Sequence, residues 1–349
     1  MTSPTFTSSS VSPPEAASRP SGRFLSGLWA NPGSRALIAL ALVLALGCLF
    51  HADGAFFKLG THRDALRQAS VFGILACGMT LVIISGGIDL AVGSVLALVA
   101  VSFSLMSIHW GFSPWVSVPL CLLMGAACGA TAGGLTAWCR IQPFIATLAM
   151  MVFARGLAKT VSGGMKVSTA VKMADGSYRY VDVPEIFRIL DSRVLHGAIS
   201  GVSIVFLVCA AATWILLARH RWGRQLYALG GNEEAARLSG VPVNRAKTLA
   251  YAASGVLAAV AGLCQAAQEQ QGDSETGGGY ELTAIAICVI GGTTLTGGRG
   301  SIGLTLLGTL TIGYLDKILS INAVPEASRL MLTGMIIIVA VLAQRQRRA

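Results

Sequence analysis

The feature that most constrains this chain is a series of long uncharged apolar runs separated by short polar loops. The runs include "ALIALALVLALGCLF" near the N-terminus and "IIIVAVLA" near the C-terminus. A run of about 20 apolar residues has the length of a membrane-crossing helix. Charged residues are only 12% of the 349 residues, too few to cover the surface of a soluble protein of this size. The chain is therefore predicted to be an all-α polytopic membrane protein.

The apolar runs predict about ten transmembrane helices. They are placed near residues 35–55, 66–85, 88–109, 114–138, 143–161, 197–218, 246–267, 280–292, 301–319 and 328–343. The eighth is half a span long, so it is either a broken or re-entrant segment or a helix that extends back through 277–279. An even count puts both termini on one side of the membrane. The distribution of Arg and Lys among the loops favours the cytoplasm as that side.

The polar segments divide the chain into regions. Residues 1–34 are rich in Ser, Thr and Pro and predict a disordered cytoplasmic tail. A signal peptide is not expected, because the apolar run that follows is of spanning length and lacks a small-residue cleavage site. Residues 35–343 form the predicted transmembrane domain, which includes a cytoplasmic loop at 219–247. Residues 344–349 are a predicted cytoplasmic tail.

Several classes of function are disfavoured by what the sequence lacks. The net charge of +10 comes with no basic helix or aromatic-interleaved patch, so nucleic acid is not an expected partner, whereas anionic membrane lipid is. The eight cysteines form no CxxC pair, the five histidines form no HExxH, and no phosphate-binding GxxxxGK[ST] occurs. We therefore expect no catalytic residues and no metal in this chain.

Two glycine-rich segments share the pattern GGxxLxxG, at 86–93 and at 291–298. The match covers eight positions and is weak evidence for an internal repeat. The first segment contains Asp89, which we interpret as the N-cap of the following helix. The alternative places Asp89 in a substrate or proton path, since charge inside a membrane is costly.

The stretch "GGNEEAARLSG" is polar in an otherwise apolar chain and predicts a capped helix of two turns. Asn232 is a good N-cap, Glu233 and Glu234 suit the positive helix N-terminus, and Arg237 lies toward the other end. Gly240 can supply a left-handed residue that ends the helix. So short a helix needs a surface to lie against. From the residues alone, a lid over this chain's own loops and a docking element for a soluble partner are equally supported.

Four stretches resemble one known family. They are "GGIDLAVGSVLAL", "RIQPFIATLAMMVFARGLA", "GRQLYALGGNEEAARLSGVPVNRAKTLAYAASGVLAAVAG" and "YELTAIAICVIGGTTLTGGRGSIGLTLLG". Together they resemble the sugar-specific ABC importer permeases, the branch for ribose, galactose, arabinose, xylose and galactofuranose. The resemblance runs from about residue 60 to the C-terminus and omits the tail and the 165–195 loop.

The resemblance implies a permease in the bacterial inner membrane that translocates a monosaccharide by alternating access. It implies a homodimer, an ABC ATPase subunit on a separate polypeptide that binds ATP and Mg²⁺, and a periplasmic sugar-binding protein. No cofactor and no bond chemistry are then expected in this chain. The family's coupling helix falls on Asn232, Glu233, Glu234, Ala235, Ala236, Arg237, Leu238 and Ser239. Gly230, Gly231 and Gly240, at its two ends, are assigned to the same ATPase-coupling site.

The sequence departs from the family in places. Relatives usually carry Ser at the position of Ala91 and Asp at that of Thr283, which puts any role of position 283 in doubt. The 165–195 insertion either adjusts contact with the binding protein or is simply a longer periplasmic loop, and we favour the second.

Five polar residues are candidates for lining or hinging the sugar pathway. They are Asp89, Gln142, Gln265, Thr293 and Thr294. The alternative for each is a helix cap or an interhelical hydrogen bond. The competing function is a secondary, ion-coupled transporter of a small polar solute, a class that often places ionisable groups near the bilayer midplane. The predicted spans leave that region almost without them.

Overall fold

A computed structural model describes residues 31–173, 176–194 and 197–345 of the chain. Its helices are α1 (Pro32–Leu49), α2 (Leu59–Ile84), α3 (Val92–Ser104), α4 (Pro114–Ala137), α5 (Pro143–Ser162), α6 (Glu185–Leu190), α7 (Gly201–Arg219), α8 (Arg221–Gly231), α9 (Glu233–Leu238), α10 (Val243–Glu269), α11 (Tyr280–Gly291), α12 (Ile302–Ile321) and α13 (Glu326–Arg345). A 3₁₀ turn covers Ala55–Phe57, and a π-helical turn (Leu105–His109) prolongs α3.

Eight of the helices in the described ranges are long and apolar enough to cross a membrane. They are α1, α2, α3 with its π-helical turn, α4, α5, α7, α10 and α12. The predicted eighth and tenth spans correspond to α11, with 12 residues, and α13, with 20. The predicted fold class, an all-α polytopic membrane protein, is confirmed.

Several predicted boundaries are corrected. Residues 32–34, assigned to the N-terminal tail, form the first turn of α1, because Asn31 caps that helix and Pro32 suits its first position. The first span ends at Leu49 rather than at 55, and the second begins at Leu59 rather than at 66. Residues 344 and 345, assigned to the C-terminal tail, belong to α13. The remainder of both predicted tails, 1–30 and 346–349, lies outside the described residues.

Helices α2 and α3 lie in the centre of the bundle, and α1 lies at its periphery. The spanning windows of α2 and α3 are each 83% buried, whereas that of α1 is 11% buried. Peripheral helices expose large apolar side chains, among them Leu42, Leu123 and Val208. A helix that is apolar all round belongs in a protein core or in lipid. The periphery is therefore the lipid-facing or subunit-facing surface.

Glycines bring α4 and α10 into close contact. Gly125, Gly129 and Gly133 follow one another every fourth residue on α4 and face Gly255 and Tyr251 of α10. A Cβ at Gly129 would overlap the carbonyl oxygen of Tyr251 and lie 2.8 Å from its carbonyl carbon. Small residues spaced in this way let helix backbones pack directly in a membrane, where burial from water does not drive association.

Two ends of the bundle can be distinguished. We call the end at which α1 begins the proximal end; there Pro32 lies against Gly292, just after α11. At the opposite, distal end, the 163–200 segment forms two antiparallel hairpins and α6. Strand β1 (Ala170–Lys172) pairs with β2 (Tyr178–Tyr180), and β3 (Arg193–Val194) pairs with β4 (Ile199–Ser200).

The distal segment packs on the helices rather than forming a free loop. Phe187 of α6 is buried and stacks on Phe103 of α3, with ring centroids 4.8 Å apart. Arg67 of α2 donates a hydrogen bond of 2.7 Å to Asp191, which follows α6. The insertion is thus a small folded unit fixed to the distal end.

The α4–α10 contact yields a stability prediction. Gly129→Ala should lower the free energy of unfolding by about 1–3 kcal/mol, because the added methyl group forces the two backbones apart. Thermal unfolding of the detergent-solubilised protein measures the effect. Gly134→Ala on the same helix is the matched control, because a Cβ there meets nothing within 4 Å. Equal stability of the two variants would contradict the packing argument.

Candidate functional site

The polar stretch at 230–240 forms the capped helix that the sequence predicts. Asn232 precedes α9, and its side-chain oxygen accepts a 3.0 Å hydrogen bond from the amide of Ala235. Glu233 and Arg237 form an ion pair at 3.1 Å. Gly240 has a φ of +81° and ends the element in the left-handed conformation. The predicted cap and terminator are confirmed.

A second helix, α8, lies directly before α9 and is missing from the sequence interpretation, which places one helix in the 219–247 loop. His220 is its N-cap and accepts a hydrogen bond from the amide of Trp222. Leu226 and Leu229 are buried, and the Trp222 indole donates to the carbonyl oxygen of Ala246 on α10. The apolar spacing Trp222, Leu226, Leu229 is the i, i+4, i+7 signal that predicts such a helix. The 219–247 loop is therefore two helices followed by the start of α10.

An ion pair fixes α9 to the membrane bundle. Lys247, near the start of α10, donates a 2.6 Å hydrogen bond to Glu233, so that this carboxylate bridges α9 and α10. Partial burial acts to raise the pKa of Glu233, but its hydrogen bonds and charge attraction with Lys247 and Arg237 outweigh this and lower the pKa below its ordinary value of 4.5. The position of α9 is thus set by charge as well as by chain connectivity.

The outer face of α9 is exposed. Glu234, Ala235 and Ser239 are all exposed, and the Leu238 side chain is 85% exposed. Ala236, by contrast, is buried on the inner face. The outer face of α9 thus combines acidic, small and hydroxylated residues with one exposed leucine.

The end of α8 is wedged against two loops at the proximal end. A Cβ at Gly230 would overlap the carbonyl oxygen of Ile84 at the end of α2, and it would lie 2.5 Å from the amide nitrogen of Gly298. That amide itself donates a 3.0 Å hydrogen bond to the Ile84 carbonyl. The Tyr227 hydroxyl donates to the carbonyl oxygen of Gly300 at 2.8 Å. The 220–240 segment therefore contacts the chain just after α2 and just after α11.

Asp89 lies in the non-helical stretch between α2 and α3. Its side chain is 3% exposed; one carboxylate oxygen accepts a 3.0 Å hydrogen bond from the amide of Ala91, and the other accepts a 2.8 Å bond from the Ser254 hydroxyl. The N-cap of α3 is Ala91, so the predicted N-cap at Asp89 is wrong by two residues. Ser254 is near the middle of the 27-residue α10, so the break reaches deep into the bundle.

A second break precedes α11. Gly277 and Gly279 have φ values of +79° and +80°, so α11 does not extend back through 277–279 and the shorter, broken segment is correct. Gly277 lies against Gly93 in the first turn of α3. Arg155 of α5 donates hydrogen bonds to the carbonyl oxygens of Ser274 and of Thr276, the latter at 2.7 Å. Buried backbone at a helix break needs such partners.

The structure does not bring the five pathway candidates together. Asp89 is at the first break, and Gln265, on α10, donates a 2.6 Å hydrogen bond to Glu269. Gln142 is exposed at the start of α5. Thr293 is buried beside Gly300. Thr294 donates to the carbonyl oxygen of Gly297 within the loop between α11 and α12, which we call the proximal loop.

Sequence reasoning also missed the position of Glu281. A Cβ at Gly93 would lie 2.6 Å from a Glu281 carboxylate oxygen, so this half-buried carboxylate stands beside the first turn of α3. The bundle interior therefore holds two acidic side chains, Asp89 and Glu281, where the predicted spans had left the region almost uncharged. Within the described ranges, no group of three His, Cys, Asp or Glu side chains is arranged to hold a metal ion.

The two GGxxLxxG segments meet in space but differ in backbone conformation. A Cβ at Gly297 would lie 2.9 Å from the Cα of Gly86. Gly86 has a positive φ, whereas its counterpart in the pattern, Gly291, does not; Gly298 has a positive φ, whereas Gly93 is helical. The pattern therefore marks two loops that pack on each other, and it does not reflect one repeated local structure.

Comparison with known proteins gives consistent matches along the chain. The family model described as branched-chain amino acid transport system / permease component matches residues 63–341. The chain is 39% identical over 315 residues to the ribose import permease protein of Escherichia coli. The aligned region covers 90% of this chain and 94% of that protein. No solved structure is significantly similar to the chain.

More distant relatives carry other sugars in their names. The fructose import permease protein of Bifidobacterium longum is 34% identical over 318 residues, covering 90% of each chain. The xylose transport system permease protein of Escherichia coli is 30% identical over 352 residues, covering 87% of this chain and 90% of that protein.

The lowered pKa of Glu233 predicts how the attachment of α9 depends on pH. The stabilising contribution is present above the ordinary pKa of 4.5 and is lost as the pH falls through the lower pKa of the folded state. Amide exchange protection of α9, corrected for intrinsic rates, should be constant from about pH 7 to 5.5 and should fall below about 4.5. Glu233→Gln should remove this dependence. The same pH profile in that variant would contradict the assignment.

Proposed function

Because the chain belongs to the branched-chain amino acid transport system / permease component family, and is the multi-pass inner-membrane permease of a monosaccharide ABC importer, we propose that α8 and α9 couple it to its ATPase. Permeases of this kind work with an ATPase subunit and a binding protein. The observation that carries the proposal is the exposed outer face of α9, with Leu238 at its end, on a helix held firmly by Lys247.

The docking surface consists of Glu234, Ala235, Leu238 and Ser239, which are exposed on the outer face of α9 and at its C-terminal end. Burying a leucine side chain in a partner's groove contributes about 1.5–3 kcal/mol, and the surrounding polar groups supply orientation. The Asn232 cap and the Glu233–Lys247 pair keep the helix formed and positioned before the partner arrives. Such preorganisation lowers the entropic cost of docking.

The proposal sets the orientation of the chain in the membrane. Since the ATPase is a soluble cytoplasmic protein, α9 and the proximal end face the cytoplasm, and both termini lie there as well. The distal end then faces the periplasm, where the hairpins and α6 lie within reach of the sugar-binding protein. ATP and Mg²⁺ bind to the ATPase, and this chain supplies no catalytic group.

Alternating access follows from differential contact with two states of the permease. The ATPase can shift that equilibrium only if it contacts α9 differently in the two states. A homodimer, with the sugar path between or through the subunits, would give each of two ATPase subunits one α9 to engage. Since a monosaccharide is neutral, small and polar groups suffice along its path.

The five candidate pathway residues take different parts in this proposal. Asp89 and Gln265 hold the chain at and beside the helix breaks through Ser254 and Glu269. Thr293 and Thr294 shape the proximal loop, and Gln142 stands exposed at the cytoplasmic entrance to α5. Both oxygens of Asp89 already accept hydrogen bonds, which leaves Glu281, beside Gly93, as the interior carboxylate that an ion-coupled mechanism would have to use.

Reversing the charge of Glu234 tests the docking surface. Glu234→Lys should reduce capture of the ATPase subunit and sugar uptake by about tenfold or more, because a repulsive charge enters the interface, while membrane insertion is unchanged. Pull-down from detergent and uptake in vesicles are the measurements. Asp182→Lys, a charge reversal at the distal end, is the control and should not affect ATPase capture. Wild-type uptake by the Glu234 variant would mean that α9 is only a lid.

Truncating Leu238 tests the apolar part of the same surface. Leu238→Ala removes a side chain that contacts little in the free permease, so the free energy of unfolding should change by less than about 0.5 kcal/mol. The affinity for the ATPase should nonetheless fall by about tenfold. Titration of the purified permease with the ATPase subunit measures this. Loss of stability together with unchanged affinity would place Leu238 outside the interface.

A further inference from the structure

Four glycines, Gly86, Gly230, Gly297 and Gly298, bring three pieces of backbone into contact at the proximal end. We call this cluster the glycine junction. Gly230 is the penultimate residue of α8, Gly86 is two residues beyond α2, and Gly297 and Gly298 lie in the loop between α11 and α12. A Cβ at Gly230 would overlap the Ile84 carbonyl oxygen, and one at Gly297 would lie 3.0 Å from the Cα of Gly230.

The contacts of α8 differ from those of α9. Apart from its neighbour α8, α9 is tied to the bundle through the ion pair between Glu233 and Lys247 of α10. By contrast, α8 reaches the loops that follow α2 and α11, through Gly230 and through the hydrogen bond from Tyr227 to Gly300. The first loop leads into α3 and the second follows α11, the two helices that begin at the breaks described above.

The first of these loops continues directly into the break that contains Asp89. Asp89 is only three residues beyond Gly86, and Thr147 of α5 donates a 3.3 Å hydrogen bond to the intervening carbonyl of Ile88. The second loop follows α11, whose other end is the break at 277–279, against Gly93 of α3. A movement of Gly230 would therefore displace two loops whose backbone continues to the two breaks.

Close backbone contact is what makes this a stiff connection. Side chains can absorb a movement by changing rotamer, whereas two backbones in contact across glycines have no such freedom. The Gly298 amide, bonded to the Ile84 carbonyl, also ties the two loops to each other, so that they move together.

We propose that α8, acting through Gly230 and Tyr227, transmits the movement of docked α9 to the two helix breaks. In this division of roles α9 binds the ATPase and α8 drives the permease. Gly230 and Tyr227 are then positioning residues for sugar transport, and neither contacts the sugar or the ATPase. This inference rests on the proposed function of α9, so its test must separate docking from transmission.

The test uses the full-length permease reconstituted in proteoliposomes with the ATPase subunit and the binding protein. Three quantities are measured: capture of the ATPase, the rate of ATP hydrolysis, and uptake of whichever of D-ribose, D-fructose or D-xylose the wild-type complex carries. The variants are Gly230→Ala, which places a methyl group against the Ile84 carbonyl, and Tyr227→Phe, which removes one hydroxyl group. Gly303→Ala is the control, because a Cβ at this position near the start of α12 meets nothing within 4 Å.

The expected result for Gly230→Ala is ATPase capture within twofold of wild type, continued hydrolysis of ATP, and at least a tenfold fall in sugar carried per ATP. For Tyr227→Phe the expected fall is about threefold, because a single hydrogen bond to the Gly300 carbonyl is lost. Gly303→Ala should match wild type in all three measurements.

Two outcomes overturn the inference. One is a wild-type ratio of sugar to ATP in Gly230→Ala; the other is a loss of ATPase capture as large as the loss of uptake, which would make the junction a support for docking alone. If the Gly230→Ala variant does not insert into the membrane, the Tyr227→Phe variant becomes the test. An unchanged ratio of sugar to ATP in Tyr227→Phe then refutes the proposal. Failure of the wild-type permease to capture the ATPase would instead refute the proposed function itself.

Discussion

The structure depends on satisfying backbone hydrogen bonds where helices break inside an apolar bundle. No water is available there to replace a missing helical partner, so each break must be bonded by the protein. At the first break, Asp89 bonds the Ala91 amide and Thr147 bonds the Ile88 carbonyl. At the second, Arg155 bonds two carbonyls of the 270–279 loop. Charged and hydroxylated side chains on neighbouring helices therefore hold the irregular backbone in place.

Small residues allow the helices of the bundle to pack closely against one another. In lipid the hydrophobic effect does not drive one helix against another, so close backbone approach has to supply the contact. Glycines on α4 and α10 do this along the length of the bundle. At the proximal end, glycines from α8 and two loops do it at a single point. The same chemistry thus serves static packing in one place and, in our proposal, transmission of movement in another.

Much of the fold follows from the sequence because membrane helices are predicted by length and hydropathy. Ten apolar segments are placed within a few residues of helices in the structure, and the α9 helix follows from its caps. The amphipathic α8 was overlooked, although the spacing of Trp222, Leu226 and Leu229 indicates it. The partners of Asp89 and the meeting of Gly230 with Gly298 were beyond prediction, because they join residues far apart in the chain, and hydropathy carries no information on such contacts.

The source of energy for sugar uptake distinguishes an ABC importer from an ion-coupled transporter. The wild-type permease is reconstituted with its ATPase and binding protein, and uptake of labelled sugar is followed with ATP supplied and the proton gradient collapsed. Accumulation of the sugar should require ATP and should be unaffected by loss of the gradient. Uptake that follows the proton gradient and continues without ATP would contradict it.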